Sequence, residues 1–271
     1  MDKKITLIIT GQLRLKENQN PIDKIQYHIN HIKPNNTILF LWDNEYQQHK
    51  TDIDSLNLPI IVGDSNMPQY SESTIENMLN ALNRQHDAKI KYNKDNCDEN
   101  FLINILKQIY SLQYTFQNIK ETSNAYVKTR YDNIYLNDFQ IQILLNNFFH
   151  ENNPIIATPF GGDYNNIGLG DLITITNNKA NKIFQNYYQT YIEELNSQTT
   201  PMNNELALRY IFKNLNHSDI YRFNFILTNE KHLNNKKIYH ANRNLYQQHG
   251  LNYKEEYIGK DNLYLPDYKI K

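Results

Sequence analysis

Apolar positions along the first half of the chain follow two different periods. Residues Ile5–Thr10 form an unbroken, largely β-branched run that ends at Gly11, the pattern of a strand buried on both faces and entering a loop. From Pro21 the period changes: Ile22, Ile25, Ile29 and Ile32 recur at spacings of three and four, which predicts a helix over Pro21–Ile32 with proline near its start. Short strand-like runs follow at 37–42 and 59–62, each bounded by polar residues. A strand, a helix and a strand at this spacing predict parallel βαβ units.

The same reading carries further along the chain. Helices are predicted over 71–83 and 99–119, the second with Phe101, Ile105, Ile109, Leu112 and Phe116 on one face. A strand at 125–129 then delivers Lys128, Arg130, Asp132 and Asn133. Beyond it the pattern gives a helix at 139–149, strands at 155–158 and 172–176, helices at 179–195 and 203–214, and a last strand at 221–227. Periodicity is weak after Lys231. No internal repeat and no linker rich in Gly, Ser or Pro interrupts the pattern, so 271 residues are read as one domain.

Composition narrows the classes. With 39% hydrophobic residues, 12% aromatic, and only 8 glycines and 8 prolines, the chain can build a core and is neither collagen-like nor disordered. Its 28 basic and 29 acidic residues nearly cancel, so no global field favours nucleic acid or an anionic membrane, and an anionic ligand must be held locally. The lone Cys97 excludes an internal disulfide and a cysteine-based zinc site. The apolar start is too short for a signal-peptide core or a membrane span, and the expected location is cytoplasmic.

Ligands of open α/β sheets sit beyond the carboxyl ends of the strands, which directs attention to three loops. In Thr10-Gly11-Gln12-Leu13-Arg14, the glycine lets backbone amides approach a ligand, and Gln12 and Arg14 can bond a base, ribose or phosphate. Trp42-Asp43-Asn44 combines an aromatic face with a carboxylate suited to a ribose hydroxyl. Arg130-Tyr131-Asp132-Asn133 pairs a cation with an anion, a pattern that is most often a local ion pair. The glycine-rich 161–171 segment, ending in Asp171, and Glu205 at a predicted helix start add two further carboxylates. A Walker-type phosphate loop, a G-x-G-x-x-G turn and a G-x-S-x-G elbow are all missing from the sequence. No glycine-rich Lys or Arg signature of a nucleotidyltransferase follows the first strand.

Taken in order, four of these segments resemble a known group. The opening Leu7-Ile8-Ile9-Thr10-Gly11-Gln12-Leu13-Arg14 followed by Ile38-Leu39-Phe40-Leu41-Trp42 is similar to the start of bacterial glycosyltransferases of the WavE-type lipopolysaccharide-synthesis family. Lys107-Gln108-Ile109-Tyr110-Ser111 and Tyr126-Val127-Lys128-Thr129-Arg130-Tyr131-Asp132 resemble that family's central block, with Lys107 standing where an arginine is expected. The likeness covers the first half of the chain well and the second half in outline.

The resemblance implies a GT-A-like, Rossmann-like domain with a mostly parallel central sheet flanked by helices. Residues 1–135 would form its nucleotide-binding half and 136–271 its acceptor and donor-sugar half. It implies transfer of a sugar from a nucleotide-sugar donor to a hydroxyl of a lipopolysaccharide or capsular glycan acceptor. Gly11, Gln12, Arg14, Trp42 and Asp43 would hold the nucleoside, and Gln108, Ser111, Lys128 and Arg130 the diphosphate. Asp132, with His240 as a further ligand, would contact Mn²⁺ or Mg²⁺. The pattern departs from the family's two-carboxylate motif in supplying Asp132 alone, so Arg130 and Lys128 are the alternative source of neutralising charge. Asp171 and Glu205 would face the transferring sugar, either serving as base if configuration is inverted. A lipid-linked acceptor would bring the protein to the inner face of the membrane. The rival reading is a non-catalytic nucleotide-sugar-binding module of a polysaccharide-assembly complex.

Overall fold

The computed structural model describes residues 3–15, 19–85, 97–120, 122–135, 152–159 and 172–197, together with 141, 145–146, 149, 207–208, 211–212, 220–223, 227–229 and 264–266. Asp171, Glu205 and His240, and most of the predicted helices at 139–149 and 203–214, lie outside the described residues.

Strand β1 (Ile5–Thr10) pairs in parallel with β2 (Asn36–Trp42) on one side and β4 (Ala125–Arg130) on the other, and β3 (Ile60–Gly63) extends the sheet beyond β2. On the far side of β4 lie β7 (Thr174–Thr176), β6 (Ile156–Pro159), β8 (Ile220–Phe223) and β10 (Tyr264–Pro266), so the order is β10-β8-β6-β7-β4-β1-β2-β3. β7 runs antiparallel to both β4 and β6, and β10 antiparallel to β8; the other six strands share one direction. A separate ribbon pairs β5 (Asn133–Tyr135) with β9 (Leu227–Asn229). This is the expected α/β architecture, a mostly parallel central sheet flanked by helices.

Helices cover both faces. Ile5, Leu7 and Ile9 of β1 pack on one face with Ile25 and Ile32 of α1 (Pro21–Ile32) and with Ile53 of α3 (Lys50–Ser55), while α2 (Asp43–Gln48) lies between these helices in the chain. Ile8 and Tyr126 point to the opposite face. There they meet α4 (Glu72–Gln85), α5 (Glu99–Asn118) and two further helices, α6 (Asn178–Phe184) and α7 (Tyr187–Asn196). Burial on both faces is why these strands read as continuous apolar runs rather than alternating ones. Among the described residues no helix is long and apolar enough to cross a membrane.

Three expectations change. The predicted helix at 179–195 is two helices, broken at Gln185 and Asn186, where Gln117 Nε2 of α5 donates to the Gln185 carbonyl at 2.7 Å and takes the place of a helical bond. The segment predicted as one strand at 221–227 belongs to two different sheets, β8 and β9. α2 and α3 were not expected; α2 buries no side chain, so it carries no apolar periodicity to detect.

At the end of β3 the chain passes so close to Phe40 that a Cβ on Gly63 would sit 2.6 Å from Phe40 Cζ and 2.8 Å from Cε2. Phe40 is fully buried and stacks edge-on against Trp42 with ring centroids 5.0 Å apart. The ring therefore has little room to yield, and Gly63→Ala should cost about 1–3 kcal/mol by overpacking. A urea titration checks this, with an unchanged midpoint as the contrary result.

Candidate functional site

The order β4-β1-β2 brings three strand ends together, and the site is built where they finish. After Thr10 the chain turns at Gly11, whose φ of +93° is in the region that favours glycine. Three residues on, Arg14 also takes a left-handed conformation, with φ +40°. That strain persists because the loop is pinned at Leu13 from two directions. Glu45 Oε1 of α2 accepts the Leu13 N–H at 2.9 Å, and Lys24 Nζ of α1 donates to the Leu13 and Arg14 carbonyls at 2.9 and 3.0 Å. Lys24 is buried, and its ammonium lies within the bonding reach of two carbonyls that the turn leaves without ladder partners. With Leu13 buried, Gln12 and Arg14 stay on the exposed side, joined by a 2.8 Å bond from Arg14 Nε to Gln12 Oε1.

At the end of β4, Arg130 and Asp132 form a two-pronged ion pair. Arg130 Nε meets Asp132 Oδ1 and Nη2 meets Oδ2, each at 2.9 Å, and Arg14 Nη1 lies 3.5 Å from Oδ2. Burial acts to raise the Asp132 pKa, but the Arg130 charge and its hydrogen bonds, helped by Arg14, outweigh it and hold the carboxyl below its ordinary value. Between these residues Tyr131 turns inward, its hydroxyl donating to the Phe40 carbonyl at 3.0 Å and tying β4 to β2 beneath β1. Asp43, at the start of α2, accepts from Asn44 N at 2.7 Å and Ser65 N at 3.1 Å, so its carboxylate fastens the turn after β3. The bonds to Ser65 and Asn44 hold its pKa below the ordinary value.

A shallow cleft, open to solvent, lies over these strand ends. It is lined by Thr10, Gly11, Gln12 and Arg14 from the first loop, Trp42 from β2, Arg130 from β4, and Asn104, Lys107, Gln108 and Ser111 from α5. The structure thus brings together seven residues singled out in the sequence: Gly11, Gln12, Arg14, Trp42, Gln108, Ser111 and Arg130. Asp43, Lys128 and Asp132 are not lining residues. Lys128 is buried within β4, and Asp132 sits behind Arg130.

Sequence reasoning missed Thr10, Asn104 and Lys107 as site residues. The signal for two of them was present, because 104, 107, 108 and 111 are spaced as one helical face, the polar counterpart of the apolar stripe on α5. Lys107 is held in the cleft by donating to the Ser65 carbonyl at 2.8 Å and by resting its ammonium 5.5 Å from the Trp42 ring centroid, a cation–π placement. Trp42 combines both readings of a lone tryptophan: it is buried against Phe40 and also forms part of the cleft wall.

A divalent cation does not fit the described donor set. Both Asp132 oxygens face Arg130, and among the described residues no carboxylate lines the cleft and no three His, Cys, Asp or Glu side chains converge. Among the described residues, two buried side-chain atoms lack a hydrogen-bond partner, Glu45 Oε2 and Asn133 Oδ1, and both belong to residues outside the lining. Burial raises the Glu45 pKa, against the Leu13 and Trp42 backbone bonds and the Arg14 and Lys107 charges that lower it.

Known proteins give a limited comparison. No family model matches the chain, and no curated protein matches it. Among solved structures it is similar to the inositol-1-phosphate CTP transferase from T. maritima, at 10% identity over 91% of this chain and 97% of that one, TM-score 0.42. It is similar to 4-diphosphocytidyl-2C-methyl-D-erythritol synthase from Anaerococcus prevotii, at 12% identity over 91% and 99%, TM-score 0.41. Mouse xyloside xylosyltransferase 1 matches at 9% identity over 81% and 84%, TM-score 0.34. A likeness at this level says nothing of substrate, and none of these comparisons shows the WavE-type family.

Beneath the site a buried polar chain supports the end of β4. His28 Nδ1 lies 2.7 Å from the Tyr135 hydroxyl, which lies 3.0 Å from Thr129 Oγ1, and Asn133 Nδ2 donates to Thr129 Oγ1 at 2.9 Å. Burial, only partly opposed by the Tyr131 carbonyl, pushes the His28 pKa down from 6.5 to about 4. Between these values the unfolded chain binds a proton that the folded chain refuses, so stability is complete above pH 6.5 and falls as pH drops towards 4. The full effect is on the order of 3 kcal/mol. Urea midpoints measured across this range should fall steeply for the natural protein and more gently for His28→Gln; equal slopes would refute the assignment.

Proposed function

We propose that the chain is a nucleotide-sugar-dependent glycosyltransferase whose donor binds in the cleft over β1, β2 and β4. The observation that carries this reading is the make-up of that cleft: Arg14, Arg130 and Lys107, an indole wall, and no carboxylate among the described lining residues, at the carboxyl ends of parallel strands. Such a surface suits a ligand with an anionic end and a flat ring. Trp42 and Gln12 are assigned to the nucleoside, with Gly11 allowing close backbone approach. Arg14, Arg130 and Lys107 are assigned to the diphosphate, with Gln108 and Ser111 completing its wall. Asp43 supports Lys107 from outside the lining by fastening the Ser65 turn, and Lys128 is assigned to the diphosphate from the sequence.

In the reaction, an acceptor hydroxyl oxygen bonds to the anomeric carbon while the bond from that carbon to the diphosphate oxygen breaks. The charge that builds on the departing nucleoside diphosphate falls on the cationic wall, where fixed positive groups stabilise it. If configuration is inverted, the hydroxyl proton passes to a carboxylate, and Asp171 and Glu205 are the residues assigned to this role from the sequence. The WavE-type resemblance supports a lipopolysaccharide or capsular glycan as acceptor, met at the inner face of the membrane.

One observation favours a second reading, a binding module without chemistry: no general base is present among the described lining residues. A thermal-shift screen against nucleoside diphosphates and nucleotide sugars tests both. Ligand at a hundredfold its dissociation constant adds about 2.7 kcal/mol of stability, an easily read shift. A base-selective shift that Arg14→Ala abolishes, together with sugar transfer or donor hydrolysis, is the expected result. Binding with neither reaction across a broad acceptor panel would favour the module, and no shift with any nucleotide would overturn both.

A further inference from the structure

We infer that the anionic end of the ligand is held by side-chain cations and not through a divalent metal, with Asp132 acting as a positioning residue for Arg130 and Arg14. This rests on the nucleotide-binding reading of the cleft and specifies its chemistry. Three observations converge on it.

Asp132 is buried, and both its oxygens are engaged by Arg130, at 2.9 Å each. A carboxylate so placed spends its charge on a guanidinium fork, where its geometric match is best. Arg14 Nη1 approaches the same Oδ2 at 3.5 Å from the other side, so one carboxylate draws two arginines from different loops to the same wall. Lys107 adds a third positive group, fixed by the Ser65 carbonyl and the Trp42 ring. A divalent cation in the cleft would face these three charges with no carboxylate among the described lining residues, and hard cations of this kind need oxygen ligands. A diphosphate meets the opposite situation, because its charge is matched by fixed donors on both sides.

Asp132 therefore does for Arg130 what a packed neighbour does for an apolar side chain: it removes rotational freedom before the ligand arrives. The arginine carries its counter-ion with it and also lines the cleft.

The test is calorimetric titration of inorganic pyrophosphate, and of the best-binding nucleoside diphosphate, in EDTA and in Mg²⁺ or Mn²⁺. Equal affinity with and without metal is expected, together with a loss of about tenfold in Arg14→Gln. Because Arg130→Gln alone strands a buried carboxylate, the paired change Arg130→Gln/Asp132→Asn is used, and it should weaken pyrophosphate by at least as much. Asp132→Asn alone should weaken binding without creating any metal dependence. Nucleotide that binds only with metal would overturn the inference while leaving the nucleotide reading intact. Pyrophosphate that binds in EDTA when no nucleotide does would keep the inference and remove that reading. Binding of neither, or affinity unchanged in both arginine variants, would overturn the inference itself.

Discussion

The fork between Arg130 and Asp132 is the interaction on which the site's geometry turns. It sits where β4 leaves the sheet, beside the end of β1, and it fixes a cation at the edge of the cleft. Its influence reaches the next loop directly. A Cβ built on Gly11 would touch Arg130 Cγ at 3.9 Å, so the arginine's aliphatic stem lies against the glycine turn, and the same carboxylate draws Arg14 across it. Two loops far apart in sequence are thereby set relative to one another by one acid. An isolated exposed pair of this kind contributes little, but Asp132 is buried and bonded at both oxygens, which makes the pair costly to break from one side.

Polar groups beneath the sheet's edge give the same site its rigidity. Lys24 and Glu45 grip Leu13 through its carbonyl and its amide, and Tyr131 binds β4 to β2. Each of these is a charged or hydroxyl group placed inside the fold, where it stabilises only if its partners are in position. These buried polar contacts stand at the strand ends that carry the cleft, while the core on the face covered by α4, α5, α6 and α7 is built mainly of apolar and aromatic side chains. Supporting residues of this type hold a binding surface in shape before ligand arrives.

Much of this was legible in the sequence because the central strands are buried on both faces and read as apolar runs, and because a loop must follow each one. Gly11, Arg14, Trp42 and Arg130 were found by asking what stands at those ends. The rest escaped for identifiable reasons. The face that α1 buries is Pro21, Lys24, Ile25, His28 and Ile32, rotated from the isoleucine stripe so that two polar residues point inward. Apolar periodicity discounts such residues, although they are the ones that brace the site. Lys107 was visible in a motif but was weighed as a substitution for arginine, and its place in the cleft follows from helical spacing with Asn104, Gln108 and Ser111. Asp132 shows the limit of reading residue type without geometry, since one strand-end carboxylate suits a metal or an arginine equally well on paper.

The central claim is that the cleft over β1, β2 and β4 is where a nucleotide docks. Hydrogen–deuterium exchange, measured with and without a saturating nucleoside diphosphate, tests it residue by residue. The account predicts slowed exchange in the loop from Gly11 to Leu15, at the start of α2 and along the cleft face of α5, with the β3 edge of the sheet unchanged. Nucleotide-dependent protection confined to other parts of the chain, with these segments unaffected, would contradict it.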